Sequence, residues 1–510
     1  MKKLSQRTTK ILLLILIPIM GVILVSSCVF GLCYAYLNRS TIKIDFNPDT
    51  EYQTFKYFGA SSCWNNRIIG RDESEETKAQ LTELLYGDSG LKLSIFRYNI
   101  GAGSIELENT GYSEAQKTIS FFKSENYENK DSFLDVNNYD ITKDSDYLSM
   151  LKLALETNNV KKVVAFCNSP HFLLTKNTQT DADHAHENNL LEENFEVFSH
   201  YAIICTSLLD NYVKSLGYND IEIYISPVNE PQWKWDGVAS TQEGCHFDAD
   251  HLAKFYDVFY KVLKEYNNKN NTNYKLDMFE SGNYKLGLAS SKNKTYFKEF
   301  SKYSYFEEVD EISMHSYAAD TDKSIRRKFY NYFKKFNKDF VMSEYCVMEF
   351  GVDESVSMGL KSAKVLMQDL NILNTVEWSW WLGIAGGGFE DGLVYFNSET
   401  KDINRYYRYY MFAQFMRYID YGDVRIKADI YDLMDLGGVD SVGFKKPDGS
   451  VVVIILNDSK KEKNILISSD KFSTAHIVET YENNYLKESD KTFNGKFKIK
   501  ANSVTTIILK

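Results

Sequence analysis

Between about residues 55 and 419, short apolar runs alternate with stretches in which apolar residues recur at helical spacing. Eight runs have the length and composition of buried strands: Phe55–Ala60, Leu93–Asn99, Val163–Asn168, Ile221–Ser226, Leu276–Glu280, Glu311–His315, Phe340–Glu344 and Thr375–Trp381. A helical pattern follows each run: Glu75–Leu85, Tyr147–Glu156, Phe195–Leu216, Ala249–Tyr266, Lys292–Lys302, Ile325–Phe336, Val356–Leu373 and Arg405–Ile419. Eight strand–helix units predict an α/β fold, a (β/α)8 TIM barrel over residues 55–419.

After Ile419 the pattern changes to short strand-like runs separated by turns. The segment Lys446–Gly449 has the composition of a hairpin turn between two of these runs. Residues 420–510 are therefore predicted to form a small all-β domain. Thr41–Phe46 is also strand-like, and we expect residues 41–54 to join that domain before the chain enters the barrel.

The segment Ile11–Leu37 carries no charge and is long enough to cross a bilayer. Basic residues precede it, which favours a cytoplasmic N-terminus and an exported body. Residues 1–40 are thus predicted to be a cytoplasmic tail and an uncleaved transmembrane segment that holds an extracellular catalytic domain at the cell membrane. A cleaved secretory signal and a lipoprotein signal ending at Cys28 are the alternatives.

Charge and cysteine content limit the partners of the exported part, which carries 54 basic and 70 acidic residues, a net charge of −16. This surplus disfavours nucleic acid and polyanionic glycans, and a neutral polysaccharide or oligosaccharide is the expected partner. The seven cysteines show no Cys/His spacing typical of a zinc site. We expect a monomer with no cofactor and no metal.

Polar and aromatic residues follow the ends of the predicted strands, and in a barrel these ends share the face that carries the chemistry. Two carboxylates stand out. Glu230 follows Asn229 in the run IYISPVNEPQWKW, and Glu344 ends the run DFVMSE. A pair of strand-end carboxylates is what hydrolysis of a glycosidic bond requires, which makes a glycosidase the leading hypothesis.

Ten stretches in chain order resemble glycoside hydrolase family 30, most closely its endo-β-1,6-galactanase-like branch. They are FGASSCW (Phe58–Trp64), SIFRYNIGAGS (Ser94–Ser104), DITKDSDYLSMLKLA (Asp140–Ala154), FCNSPHFLLTKN (Phe166–Asn177), ISPVNEPQWKW (Ile225–Trp235), TQEGC (Thr241–Cys245), FESGNY (Phe279–Tyr284), SMHSY (Ser313–Tyr317), VMSEYC (Val341–Cys346) and EWSWW (Glu377–Trp381). The resemblance implies a (β/α)8 barrel with a β-sandwich built mainly from the C-terminal residues.

By this resemblance, Glu230 is the acid/base and Glu344 the nucleophile of a retaining mechanism. Arg97 and Tyr317 match positions that contact the nucleophile, and Asn229 matches the residue that binds the sugar 2-hydroxyl. Glu344 should stay ionised, whereas Glu230 should hold a proton when substrate arrives.

Other strand-end residues are candidates for substrate binding. Trp64, Trp233 and Trp381 are candidate sugar platforms. Trp380 should point to the opposite side of the strand from Trp381. His315 either hydrogen-bonds the substrate or orients Tyr317.

The leading function hypothesis is a retaining hydrolase of β-linked galactan, with β-1,6 linkages expected. Two alternatives remain: a retaining hydrolase of another neutral β-glycan, of the β-glucan or xylan type, and a non-catalytic glycan-binding surface protein. The long polar loop over residues 103–140 is expected to wall the cleft.

Overall fold

The computed structural model describes residues 41–510 apart from 109, 182–187, 236–240, 283, 285–291, 318 and 431–437. Two strands come first, β1 (Thr41–Lys43) and β2 (Asp45–Thr54). A large sheet follows, with strands β3 (Tyr57–Ser61), β4 (Ile95–Asn99), β5 (Lys162–Phe166), β6 (Glu222–Ser226), β7 (Lys275–Leu276), β8 (Phe279–Ser281), β9 (Glu311–His315), β10 (Asp339–Glu344), β11 (Glu377–Ala385), β12 (Gly392–Phe396) and β13 (Ile403–Asn404).

From β3 to β11 the strands of this sheet are parallel, in the order β7-β6-β5-β4-β3-β11-β10-β9-β8. The sheet curls, and its two ends, β7 and β8, belong to one stretch of chain that is interrupted only at residues 277 and 278. Most of these strands are buried along their whole length, as expected for a parallel sheet covered by helices. The carboxyl ends of the strands therefore gather at one face.

The helices that follow the strands lie close to their predicted positions. They are α1 (Asn65–Asp72), α2 (Glu75–Tyr86), α3 (Ser145–Glu156), α4 (Phe195–Ser215), α5 (Ala249–Asn270), α6 (Lys292–Phe300), α7 (Tyr305–Glu308), α8 (Lys323–Phe333), α9 (Val356–Gln368) and α10 (Tyr407–Met416). The predicted strand Leu276–Glu280 differs in detail because it is broken. The backbone takes a positive φ at Phe279 (91°) and Glu280 (48°), and the pairing with β9 shifts register there.

The C-terminal strands are β14 (Val424–Asp429), β15 (Val439–Lys445), β16 (Val451–Asn457), β17 (Lys463–Leu466), β18 (Thr474–Tyr481), β19 (Asn484–Thr492), β20 (Lys496–Ile499) and β21 (Ser503–Leu509). They form a seven-stranded sheet, β19-β18-β21-β16-β15-β14-β2, and a three-stranded sheet, β1-β17-β20, with an apolar core between them. The outer face of the larger sheet packs on α9 and α10. The N-terminal strands thus join both sheets of the C-terminal domain.

The amino ends of the strands are occupied by a buried ion cluster. Lys162 Nζ lies 2.9 Å from Glu311 Oε1 and 2.8 Å from Glu377 Oε2, and these residues begin β5, β9 and β11. The charges at the amino ends of the strands are thus paired with one another. The carboxyl ends of the strands remain for binding and chemistry.

Within the described ranges, none of the helices has the length and apolar character to span a bilayer. The predicted anchor Ile11–Leu37 lies outside those ranges. The five cysteines of the described residues are buried free thiols.

The loop over residues 103–140, which is expected to wall the cleft, turns several of its aromatic side chains inward. Phe122 and Phe133 are fully buried, and their rings contact each other and His171.

Candidate active site

Glu230 lies beyond the end of β6, on a sharply turned backbone with φ of 44°. Its amide donates to the carbonyl of Glu280 over 2.8 Å, and Trp235 Nε1 donates to the Glu230 carbonyl over 3.1 Å. A positive φ at a glutamate costs backbone energy and persists where surrounding contacts impose it, as they do here. These contacts turn the carboxylate toward the centre of the curled sheet.

Glu344 ends β10 on the other side of the same face. One carboxylate oxygen from each glutamate and one ring nitrogen of His315 all lie within 4.8 Å of one another. Glu230 and Glu344 are 8% and 4% exposed, so the pair is almost shielded from bulk water. The structure therefore brings together the two carboxylates that the sequence singled out.

Three donors surround the Glu344 carboxylate. Arg97 Nη1 donates to Oε2 over 2.5 Å, Tyr317 OH donates to Oε1 over 3.1 Å, and His315 Nδ1 is 3.5 Å from Oε1. Burial raises the pKa of Glu344 above its ordinary value, while His315 and Arg97 oppose that rise. The two cations and the phenol thus favour the ionised form that the prediction required.

Arg97 also fixes the neighbouring amide. Its Nη2 donates to Asn229 Oδ1 over 3.1 Å, and its guanidinium lies over the ring of Phe166 at 4.0 Å. Because the arginine occupies the oxygen of Asn229, the NH2 group is what this side chain can offer to a sugar hydroxyl.

Glu280 is a third carboxylate at the site, to which the sequence reasoning gave no role. It is fully buried, accepts hydrogen bonds from His315 Nε2 (2.8 Å) and Ser343 Oγ, and lies 3.5 Å from Arg97 Nη2. Burial opposes its charge, yet Arg97, His315 and Ser343 lower the pKa of Glu280 to about 2. The sequence feature that could have indicated a role for Glu280 is its position in FESGNY, at the end of a predicted strand.

His315 bridges the carboxylates. Its Nδ1 lies 3.0 Å from Glu230 Oε1, and its Nε2 lies 2.8 Å from Glu280 Oε2. Burial disfavours a charged ring, but Glu344, Glu230 and Glu280 raise the pKa of His315 to about 10. Its hydrogen bonds therefore go to carboxylates, whereas its contact with Tyr317 is between ring edges and faces at 5.7 Å.

The predicted tryptophans occupy different environments. Trp64 and Trp381 meet at right angles, with ring centroids 5.1 Å apart, and Trp381 is 6% exposed. Trp233 is 41% exposed and directly follows the Glu230 turn. Trp380 is fully buried, and its Nε1 donates to the carbonyl of Asp391, in agreement with the predicted alternation along the strand.

Gly282 makes room for this arrangement. A Cβ at this position would come within 2.6 Å of Glu230 Oε1, 2.5 Å of Trp233 Nε1 and closest, 2.3 Å, to Gln232 Nε2. A glycine is needed here because three side chains pass directly over its backbone.

Residues 40–395 match the family described as O-Glycosyl hydrolase family 30, and residues 422–507 match the Glycosyl hydrolase family 30 beta sandwich domain. The two matches agree with the α/β part and the β-sandwich of the structure. The chain belongs to glycoside hydrolase family 30 and is an O-glycosyl hydrolase of that family by sequence.

Three known proteins are similar to this chain in sequence or in fold. An endo-β-1,6-galactanase of Hypocrea rufa is 23% identical over 387 residues, which cover 71% of this chain and 73% of that protein. A conserved exported protein from Bacteroides fragilis has a similar fold, with a TM-score of 0.77 and 22% identity over 92% of this chain and all of that one. The catalytic domain of xylanase C from Talaromyces cellulolyticus gives a TM-score of 0.66 with 19% identity, again over 92% and 100%.

Proposed function

We propose that this protein is a retaining endo-β-1,6-galactanase in which Glu344 is the nucleophile and Glu230 the acid/base. The observation that carries the proposal is the approach of their carboxylate oxygens to within 4.8 Å. Retaining glycosidases hold this pair about 5–5.5 Å apart, whereas inverting enzymes leave about 6.5–9.5 Å for a water molecule. The short separation supports direct attack by a carboxylate.

In the first step, the Glu344 carboxylate bonds to the anomeric carbon. The glycosidic C–O bond breaks, and its electron pair goes to the leaving oxygen, which takes the proton of Glu230. In the second step, Glu230 removes a proton from water while the water oxygen bonds to the anomeric carbon. The bond to Glu344 breaks as the water oxygen attaches and the carboxylate is restored, so that two inversions give net retention.

The charges around the pair support an ionised nucleophile. Arg97 and His315 lie beside Glu344 and oppose the rise in its pKa that burial causes. Glu280 lies against the far side of the His315 ring and favours its charged form. We therefore assign Glu280 as a positioning residue that keeps His315 charged and in place between the two glutamates.

Substrate binding follows the same geometry. Asn229 offers its NH2 group to the sugar 2-hydroxyl, Tyr317 and Arg97 hold the nucleophile, and Trp64, Trp381 and Trp233 are the candidate sugar platforms. Galactan as the substrate is supported by the fungal galactanase relative and by the negative charge of the body, which favours a neutral polymer. The xylanase neighbour keeps a xylan-type substrate as the alternative.

A polysaccharide panel tests this assignment. Wild-type protein is incubated with β-1,6-galactan, β-1,6-glucan, β-1,3-glucan and xylan, and products are followed by chromatography and by NMR of the first-formed anomer. Oligosaccharides of retained β configuration from the galactan are expected. Release of monosaccharide alone contradicts endo action, and full turnover by Glu344→Ala contradicts the catalytic assignment and favours a glycan-binding protein or another site.

We also propose a domain organisation and a location for the protein. Residues 1–40 anchor the protein in the membrane, 41–54 join the β-domain, 55–419 form the (β/α)8 catalytic barrel, closed through the 275–281 stretch, and 420–510 form the β-sandwich. The catalytic part then works outside the cell, where polymeric glycans are available.

A further inference from the structure

Two loops at the carboxyl ends of the strands present apolar side chains to solvent. Phe350 is 94% exposed and Met348 is 67% exposed, on the loop that follows Glu344 and β10. Phe389 lies on the loop that follows β11, and its ring meets that of Phe350 at 87° with centroids 5.5 Å apart. We call Met348, Phe350 and Phe389 the aromatic rim.

The aromatic rim rests on a braced backbone. Residues 350 and 389 form an antiparallel bridge, the amide of Gly351 donates to the carbonyl of Gly388 over 2.9 Å, and the amide of Glu390 donates to the carbonyl of Glu349 over 3.0 Å. Glu390 in turn forms a buried ion pair with Arg408. The two loops therefore hold the rings at a fixed place, although burial of the Phe350 ring would be favourable.

A short series of contacts connects the rim to the nucleophile. Tyr317 OH lies 3.1 Å from Glu344 Oε1 and 3.7 Å from Cys346 Sγ, and Cys346 Sγ lies 3.7 Å from Met348 Sδ. Phe350 is two residues further along the same loop. Phe350 therefore lies on a loop at the carboxyl ends of the strands, the face that carries the catalytic pair, six residues after the nucleophile.

Charge at the rim selects the kind of ligand. Glu349 is paired with Lys361 at 2.8 Å, and Glu390 with Arg408. The other charged residues of the two loops, Asp353, Glu354 and Asp391, are all acidic, which disfavours an anionic ligand. The apolar ring face and the thioether suit the C–H face of an uncharged pyranose.

From this geometry we infer that the aromatic rim is a remote sugar-binding subsite, which holds a neutral glycan chain several units away from the bond that is cut. The inference rests on the proposed function and deepens it. A subsite outside the catalytic pair adds binding energy only for substrates long enough to reach it, so it makes the protein prefer chains over short glycosides.

The test compares chain lengths in wild type and Phe350→Ala. The matched control is Tyr421→Ala, because Tyr421 is 67% exposed but stacks on Tyr57, at the amino end of β3 and away from the catalytic face. Values of kcat/KM are measured for galacto-oligosaccharides of two to eight units. In Phe350→Ala the ratio for the octamer over the dimer should fall roughly three- to tenfold, as expected for a lost ring contact, and Tyr421→Ala should keep the wild-type ratio.

An unchanged ratio in Phe350→Ala overturns the subsite while leaving the proposed function intact. If wild type hydrolyses no glycan of the panel, the proposed function has failed, and affinity electrophoresis in gels containing the same polymers decides about the rim. If the polymer slows wild type but not Phe350→Ala, the subsite is supported. If both proteins migrate equally, the subsite is overturned. Loss of binding to anionic lipid vesicles with an unchanged length dependence identifies a membrane contact and also overturns it.

Discussion

The Nε2 atom of His315 lies 2.8 Å from a carboxylate oxygen of Glu280, and both side chains are completely buried. On the other side of the ring, Nδ1 faces Glu230 at 3.0 Å. Glu280 can affect the reaction without touching a substrate. It favours the charged form of the imidazole, and the imidazole in turn contacts Glu230.

Replacing Glu280 by glutamine should lower the pKa of His315, since one of the three carboxylates that hold it charged is lost. We expect kcat to fall about 10- to 100-fold and the pH profile of kcat/KM to shift, with KM changed little. Asp144→Asn is the control, because Asp144 is also buried but accepts its hydrogen bond from Tyr98. Identical pH profiles for Glu280→Gln and wild type would refute the positioning role.

Replacing Glu230 by alanine should have an effect that depends on the leaving group. An alkoxide leaving group needs the proton that Glu230 supplies, whereas dinitrophenolate does not. We expect a loss of about 10²- to 10⁴-fold on the oligosaccharide and a much smaller loss of the first step with a dinitrophenyl glycoside, measured by stopped-flow burst kinetics. Equal losses on both substrates would show that Glu230 is not the acid.

The charged state of His315 should appear in the pH dependence of stability. Its pKa in the folded protein, about 10, exceeds its ordinary value of 6.5, so the protonated ring stabilises the fold fully below pH 6.5 and this contribution disappears as the pH rises through 10. The free energy of unfolding of wild type should exceed that of His315→Gln by an amount that shrinks across this window, by up to about 5 kcal/mol.

Urea denaturation at half-unit pH intervals measures this difference. The variant His476→Gln, in the β-sandwich, serves as the comparison because its half-buried imidazole faces the exposed carboxylate of Asp490. A gap between wild type and His315→Gln that stays constant from pH 6.5 to 10 would contradict a charged buried imidazole.

Gly282→Ala should reduce activity more than tenfold, because a Cβ would come within 2.6 Å of the Glu230 carboxylate and force it to move. Gly386→Ala is the control, since its nearest neighbour, Asn65 Oδ1, lies at an ordinary 3.6 Å. Steady-state kinetics and thermal unfolding should be measured together. Wild-type kcat in Gly282→Ala would mean that the glutamate tolerates the displacement.

The large-scale fold was predictable because its signals are local. Buried parallel strands appear as continuous apolar runs, and their helices show a 3.6-residue period, so the alternation could be read along the chain. Family motifs then identified Glu230 and Glu344, which the structure brings together. Strand β19 carries no such signal, because Asn484–Thr492 is a polar edge strand that is mostly exposed, without alternating apolar positions.

The details of the site depend on contacts between distant segments. The positive φ at Glu280 and the register shift beside it turn this side chain inward, and no local pattern marks such a break. Likewise, SMHSY places His315 at a strand end, but its two carboxylate partners lie 85 and 35 residues away along the chain. The sequence around Phe350 does not indicate that its ring is exposed, because buried apolar residues also occur in loops.

The first strands of the described chain pair with partners from its C-terminal part: Glu51 lies opposite Ile426, and Ile42 opposite Ile465. On a chain made from its N-terminus, β1 and β2 are therefore complete before their partners exist, and the whole α/β part separates them. Until those partners are made, the edges of both strands stay open to other chains, so assembly of the β-sandwich should be slow and sensitive to aggregation.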